Sequence, residues 1–246
     1  MRVSGCTLLL PCFFCLHATL ATQRQPPWTS TPFKTFLSLL ASSTIGIHAP
    51  EAFASTRSDA SIWVGMGTKK FQSGDVHKAV EMYNQAIDIY PPYKNYLWQR
   101  GLALYFDNDY KACSEQFRTD VALNPSDTEE AVWAMLCESH LEGLEAARHK
   151  LIRLQGEDSR PIMQIIYDAY DGKGQEALST LAAQEDRGSA VYFYSNLYLS
   201  LLLEAEGDRE SSRDCILRAV NSIYAKTRSD LMVSVADLQR KSLHQN

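Results

Sequence analysis

Three residues have types that could hold a metal ion. Cys137, His140 and His149 are separated by two and by eight residues. Cys137 and His140 share a helix face, but His149 falls on the next helix and no fourth ligand follows, whereas a structural zinc site takes four. The spacing predicts no metal centre. Gly172-Lys173-Gly174 reads as a turn between helices, not as a phosphate-cradling loop. Asp168, Asp171 and Asp208 read as solvated or helix-capping carboxylates, not as a paired acid and base. No G-x-S-x-G elbow, H-E-x-x-H motif or phosphate loop occurs. The sequence therefore predicts no enzyme and no cofactor. The chemistry left to it is recognition by tryptophan and tyrosine, which are rigid, amphipathic anchors.

The elements that position those rings are short amphipathic helices. In Tyr96 to Pro125, Leu97, Gly101 and Leu104 fall on one helix face. Asp107-Asn108-Asp109 breaks that helix. Tyr110, Cys113, Phe117, Val121 and Leu123 give a second apolar stripe, which Asn124-Pro125 ends because proline cannot continue a helix. Gly101 is expected opposite Cys113, where a small residue allows close approach. The preceding stretch places Trp63, Gly67, Gly74, Ala79, Tyr83, Ala86 and Pro91 in the same frame. Gly67 to Gly101 and Pro91 to Pro125 both span 34 residues. Helices are expected near 60–72, 76–89, 94–106, 109–122, 127–141, 144–154, 161–171, 174–184, 189–206 and 208–223. A last amphipathic helix is expected from Arg228 to Arg240. Asp127 with Glu130 reads as a capping box, and Pro161 suits a first helical position.

The 34-residue pattern resembles the tetratricopeptide repeat (TPR): Trp63, Gly67, Ala79, Tyr83, Ala86 and Pro91 match it, and so do Gly101, Phe117 and Pro125. Later copies are weaker, around Ala147 and Leu151, Ala177 and Leu181, and Gly207, Ile216 and Ala219. The runs 96–105, 116–130 and 160–163 are similar to a plant and algal family of plastid TPR proteins. The resemblance covers about residues 60–240. It implies an all-α chain: a right-handed α-solenoid of about five TPR-like hairpins over 55–226, covered at its end by a capping helix within 227–246.

In such a fold the first helix of each pair lines a concave groove. That frame places Trp98, Gln99, Leu102, Tyr105, Trp133, Leu136, His140, Met163, Tyr170 and Tyr198 toward a bound protein or peptide segment. TPR proteins that clamp a C-terminal carboxylate do so with cations, but the corresponding positions here hold Val64, Thr68, Gln99, Glu129 and Trp133. Arg100 and Asp120 depart from the pattern together, and a structural ion pair between them is expected.

The formal charge is −5 overall. Residues 1–54 contribute +2 (Arg2, Arg24 and Lys34 against Glu51), leaving −7 for the body, which argues against nucleic acid. Cys113, Cys137 and Cys215 are an odd set scattered over helices, so no disulfide framework is expected and buried small-residue roles are assigned to all three.

The first 50 residues lack Asp and Glu. Cys6 to Leu20 reads as a signal-peptide core, with small residues at Thr19-Leu20-Ala21. Thr22 to Lys34 has transit-peptide composition, and Ala52-Phe53-Ala54 is an A-x-A cleavage signal. Residues 1–54 are thus expected to be a cleaved bipartite leader, leading to a plastid and its thylakoid lumen, or, with a single signal, to secretion. The mature form is expected to be soluble or peripheral to a membrane. It would be a non-catalytic interaction scaffold, in assembly or maintenance of a photosynthetic complex. An accessory subunit positioning an enzyme is the alternative, and self-association through the uncapped first repeat is a further expectation.

Overall fold

The computed structural model describes residues 51–246 except Glu157, Glu185 and Asn246, and the expected leader up to residue 50 lies outside the described residues. The described residues form helices and no strand. In chain order they are α1 Glu51–Gln72, α2 Val76–Ile89, α3 Trp98–Phe106, α4 Tyr110–Leu123, α5 Thr128–Glu142 and α6 Leu144–His149. Then come α7 Pro161–Tyr170, α8 Gln175–Ala182, α9 Ala190–Ala205, α10 Arg209–Val220, α11 Ile223–Thr227 and α12 Leu231–Gln245. A 3₁₀ turn, Pro91–Asn95, links α2 to α3.

Aspartate starts several of these helices. Asp75, Asp109 and Asp208 accept hydrogen bonds from the backbone N–H groups of Lys78, Ala112 and Ser211, satisfying donors that lack partners in the first turn. Asp127 caps α5 through Glu129 N and Glu130 N. Glu130 sends no bond back, so only half of the expected capping box is made. Pro161 occupies the first turn of α7 and Leu123 ends α4, as Asn124-Pro125 dictates.

Neighbouring helices pack on one another, most extensively α1 on α2, α4 on α5 and α9 on α10. The two glycines of the 34-residue period let α1 approach α2 and α3 approach α4 closely. A Cβ at Gly67 would lie 2.7 Å from the Tyr83 ring, and one at Gly101 2.6 Å from the Phe117 ring. The partner of Gly101 is therefore Phe117, not Cys113. A helical side chain leans toward its own N-terminus, so the ring covers the turn at the level of Cys113, which itself faces α5.

The inner layer is α5, α7 and α9, each touching the other two. Residues Tyr192 to Leu202 of α9 are buried on every side, as expected of a helix apolar all round. The chain also returns to its start. α12 packs on α10 and reaches α1, with Leu238 and Lys241 beside the turn at Gly74. Gly74 has φ +85°, a conformation that favours glycine, and a Cβ there would lie 3.2 Å from Lys241 Nζ.

Several boundaries differ from expectation, among them α3, which starts at Trp98 and not near 94, and α12, which runs Leu231–Gln245. α1 begins at Glu51, so the A-x-A sequence lies within its first turn. The helix expected over 144–154 stops at His149, and Gln155 N donates instead to Pro125 O at 2.8 Å. A separate short helix, α11, precedes the terminal one.

Candidate functional site

Seven of the ten expected groove residues are in the core. Leu102, Tyr105, Trp133, Leu136, Met163, Tyr170 and Tyr198 are each no more than 5% exposed. Trp98 and Gln99 are half-buried and His140 is exposed. The physical reason is mutual satisfaction. Trp133 Nε1 donates to Tyr198 OH at 3.0 Å, Tyr198 OH donates to Glu129 Oε1 at 2.5 Å, and Tyr170 OH donates to the Tyr198 carbonyl at 2.9 Å. Tyr105 stands edge-on to Trp133 with ring centroids 5.2 Å apart. Burial holds the Tyr198 phenol protonated, well above its ordinary pKa, so it remains a donor to Glu129.

Arg160 closes this assembly. Its guanidinium donates to Glu129 Oε2 at 2.7 Å, to Asp127 Oδ1 at 3.3 Å and to both oxygens of Asp158 at 2.9 and 2.7 Å. Burial opposes its charge, but the hydrogen bonds to Asp158 and the charges of Glu129 and Asp127 outweigh it and raise its pKa. Burial likewise raises the Glu129 carboxyl, against the charge of Arg160. At the neighbouring Glu130 the charge of Arg160 is the smallest influence: burial first, then Asp127, Asp120 and Glu129, push it up to about 10, and its Oε2 makes no hydrogen bond.

Arg100 and Asp120 do not form the expected direct ion pair. Gln116 stands between them. Arg100 Nη1 donates to Gln116 Oε1 at 3.1 Å, and Gln116 Nε2 donates to Asp120 Oδ1 at 3.0 Å and to the Lys94 carbonyl at 2.7 Å. Arg100 Nε turns to Asn84 Oδ1 at 2.7 Å. The amide transmits the link while keeping the charges apart. Burial therefore pushes Asp120 up to about 7, with Gln116 offsetting part of it, and its Oδ2 is without a hydrogen bond.

Cys113 and Cys137 are joined by a disulfide with Cα atoms 6.0 Å apart, within the range such bonds span. The buried small-residue role expected for both is thus corrected; Cys215 is a buried thiol. A signal for the pairing was present: Cys113 and Cys137 lie twelve residues either side of Pro125, and residues equidistant from a helical turn meet across it. The bond removes Cys137 as a metal ligand. Among the described residues no three His, Cys, Asp or Glu side chains are grouped to hold a metal ion.

His140 sits at the surface end of α5. Its ring stacks on Tyr110, with centroids 4.1 Å apart, and its Nε2 pairs with Tyr105 OH at 3.1 Å. Desolvation of the covered face lowers its pKa, and Glu204 opposes that shift in part. Glu204 itself accepts from Gln239 of α12. No helix among the described residues is long and apolar enough to cross a membrane. The chain matches no protein-family model and no curated protein.

Proposed function

We propose that this chain is a non-catalytic protein-interaction scaffold whose helices stack as about five TPR-like hairpins in a right-handed solenoid, with α12 as its cap. The observation that carries the reading is the use made of the reactive side chains. Arg160 spans three carboxylates, Tyr198 joins Trp133 to Glu129, and Gln116 joins Arg100 to Asp120. These bonds hold helices to each other, which is what a rigid platform needs.

With the inner rings occupied, a protein or peptide partner meets the part of the first-helix row that stays accessible, Trp98 and Gln99 at one end and His140 at the other. The disulfide supports an oxidising compartment, which fits the reading of residues 1–54 as a leader to the thylakoid lumen or to secretion. Assembly or maintenance of a photosynthetic complex is the role proposed there.

Affinity capture from intact plastids tests this. Partner recovery falls at least several-fold with Trp98→Ala and with His140→Ala while the wild-type far-ultraviolet spectrum is kept. Unchanged recovery in both variants would refute binding at these positions.

A further inference from the structure

The outer face of α1 has no covering element among the described residues. Its inner face buries Ala60, Gly67 and Phe71. The opposite face leaves Ile62 60% exposed and Met66 44% exposed. Between them Gly65 is exposed, and a Cβ built there meets nothing within 4 Å. Scattered apolar side chains on a surface need no explanation. Two on adjacent turns beside an open glycine form a place where another helix can approach closely.

The charges on the same face say what kind of helix fits. Asp59 and Lys69 are both exposed, and neither has a side-chain partner among the described residues. Ile62 and Met66 lie two residues either side of Val64, and Asp59 and Lys69 lie five either side of it. A two-fold axis beside Val64 therefore does two things at once. It sets Ile62 against Met66 of a second antiparallel α1, and it sets Asp59 against Lys69. Both contacts occur twice, as an isologous interface requires. Lys70, the other basic residue of the last turn, is already engaged by Asp75 at 3.2 Å.

We propose that the outer face of α1 is a self-association surface that binds a second copy of this chain as an antiparallel helix pair, with its two-fold axis at the level of Val64, whose own side chain packs on the opposite, inner face. Gly65 lies on the flank of this stripe, where the missing side chain leaves room for the partner helix. Ile62 and Met66 supply the apolar contact, and the two Asp59–Lys69 pairs fix direction and register. A single helix pair is a small interface, so the dimer is weak and concentration-dependent. This goes beyond the scaffold reading and uses none of its surface residues.

The test is sedimentation equilibrium on the full chain over about 1–100 µM, the range in which such an interface dissociates. Wild type shifts from monomer to dimer. Asp59→Lys and Lys69→Asp each place like charges together twice, and each weakens dimerisation by about tenfold or more. The double variant, Asp59→Lys with Lys69→Asp, regains dimerisation because every pair is restored with its sign reversed. Peroxide oxidation of Met66, read by mass spectrometry, slows as the dimer forms.

A wild type that stays monomeric at every concentration overturns the proposal. If Met66 is then slow to oxidise, residues 1–50 are the occupant of this face; if it oxidises fast, the purified chain does not occupy it. A dimer indifferent to both single reversals, or one that the double variant fails to regain, also overturns it.

Discussion

At the residue scale the structure concentrates strain of two kinds, steric and electrostatic. The steric kind sits at Gly67 and Gly101, where an aromatic ring occupies the space of a side chain. Gly101→Ala gains helix propensity of about 1 kcal/mol but forces a Cβ against Phe117, a ring with no slack to give. A net loss of about 1–3 kcal/mol is expected by chemical denaturation, and Phe117→Leu in the same chain returns part of it. The electrostatic kind sits at Asp120 and Glu130, two buried carboxyls that each leave one oxygen without a donor.

Their pH dependence follows from the shifts. An unfolded carboxyl titrates near pH 4, whereas Asp120 titrates at about 7 and Glu130 at about 10 in the folded chain. The folded state holds these protons longer. Their stabilisation is complete below about pH 4 and is lost as pH rises through the folded values. Asp158 works the other way. Burial alone would raise it, but the hydrogen bonds and charge of Arg160 lower it, so its contribution is lost on acidification below the usual carboxylate range. Between pH 5 and 8 the raised acids dominate. The melting temperature of Asp120→Asn therefore exceeds that of wild type at pH 8, and the difference narrows as pH falls and closes near pH 4. Glu130→Gln shows the same convergence pattern, with its gain still growing above pH 8. A wild-type-like pH profile in both variants would contradict the assignment.

At the scale of elements, α4 and α5 are tied twice. Cys113–Cys137 is one tie, and the other is Glu138, which accepts from Arg118 Nη2 at 2.8 Å and Ser114 Oγ at 2.6 Å. Cys113→Ser with Cys137→Ser is expected to cost about 3 kcal/mol, the loop-closure value for a bond of this span, measured against the oxidised wild type. Arg160→Ala is expected to cost more, about 3–5 kcal/mol, because it leaves buried carboxylates unpaired.

Helix ends were legible in the sequence because they are local. Asp109 starts α4 and Asn124-Pro125 stops it within a few residues of the chain. The lining of the groove was not, because it depends on partners far apart. Tyr198 reaches Glu129 across 69 residues of sequence, and nothing near Tyr198 announces that its hydroxyl is already bound. The Arg100–Asp120 link was half legible: both residues belong to one network, but the periodic pattern gave no reason to place Gln116 between them.

At the scale of the molecule, the described chain closes on itself. Asp230 accepts from Tyr194 OH at 2.6 Å and Tyr224 OH at 2.8 Å and caps α12 through Met232 N at 2.9 Å. Arg213 of α10 holds the far end of α12 through the Leu243 carbonyl at 2.8 and 3.1 Å. Between these anchors, Leu238 and Lys241 reach the Gly74 turn at the end of α1. Closure is why the inner rings are spent on one another and why binding is assigned to the accessible margin. Amine-specific cross-linking of dilute protein, followed by peptide mass spectrometry, tests it directly. The account predicts an intramolecular link from Lys241 to Lys70 or Lys69 in the monomer band. A Lys241 that reacts with the reagent yet never links to the end of α1 would contradict it.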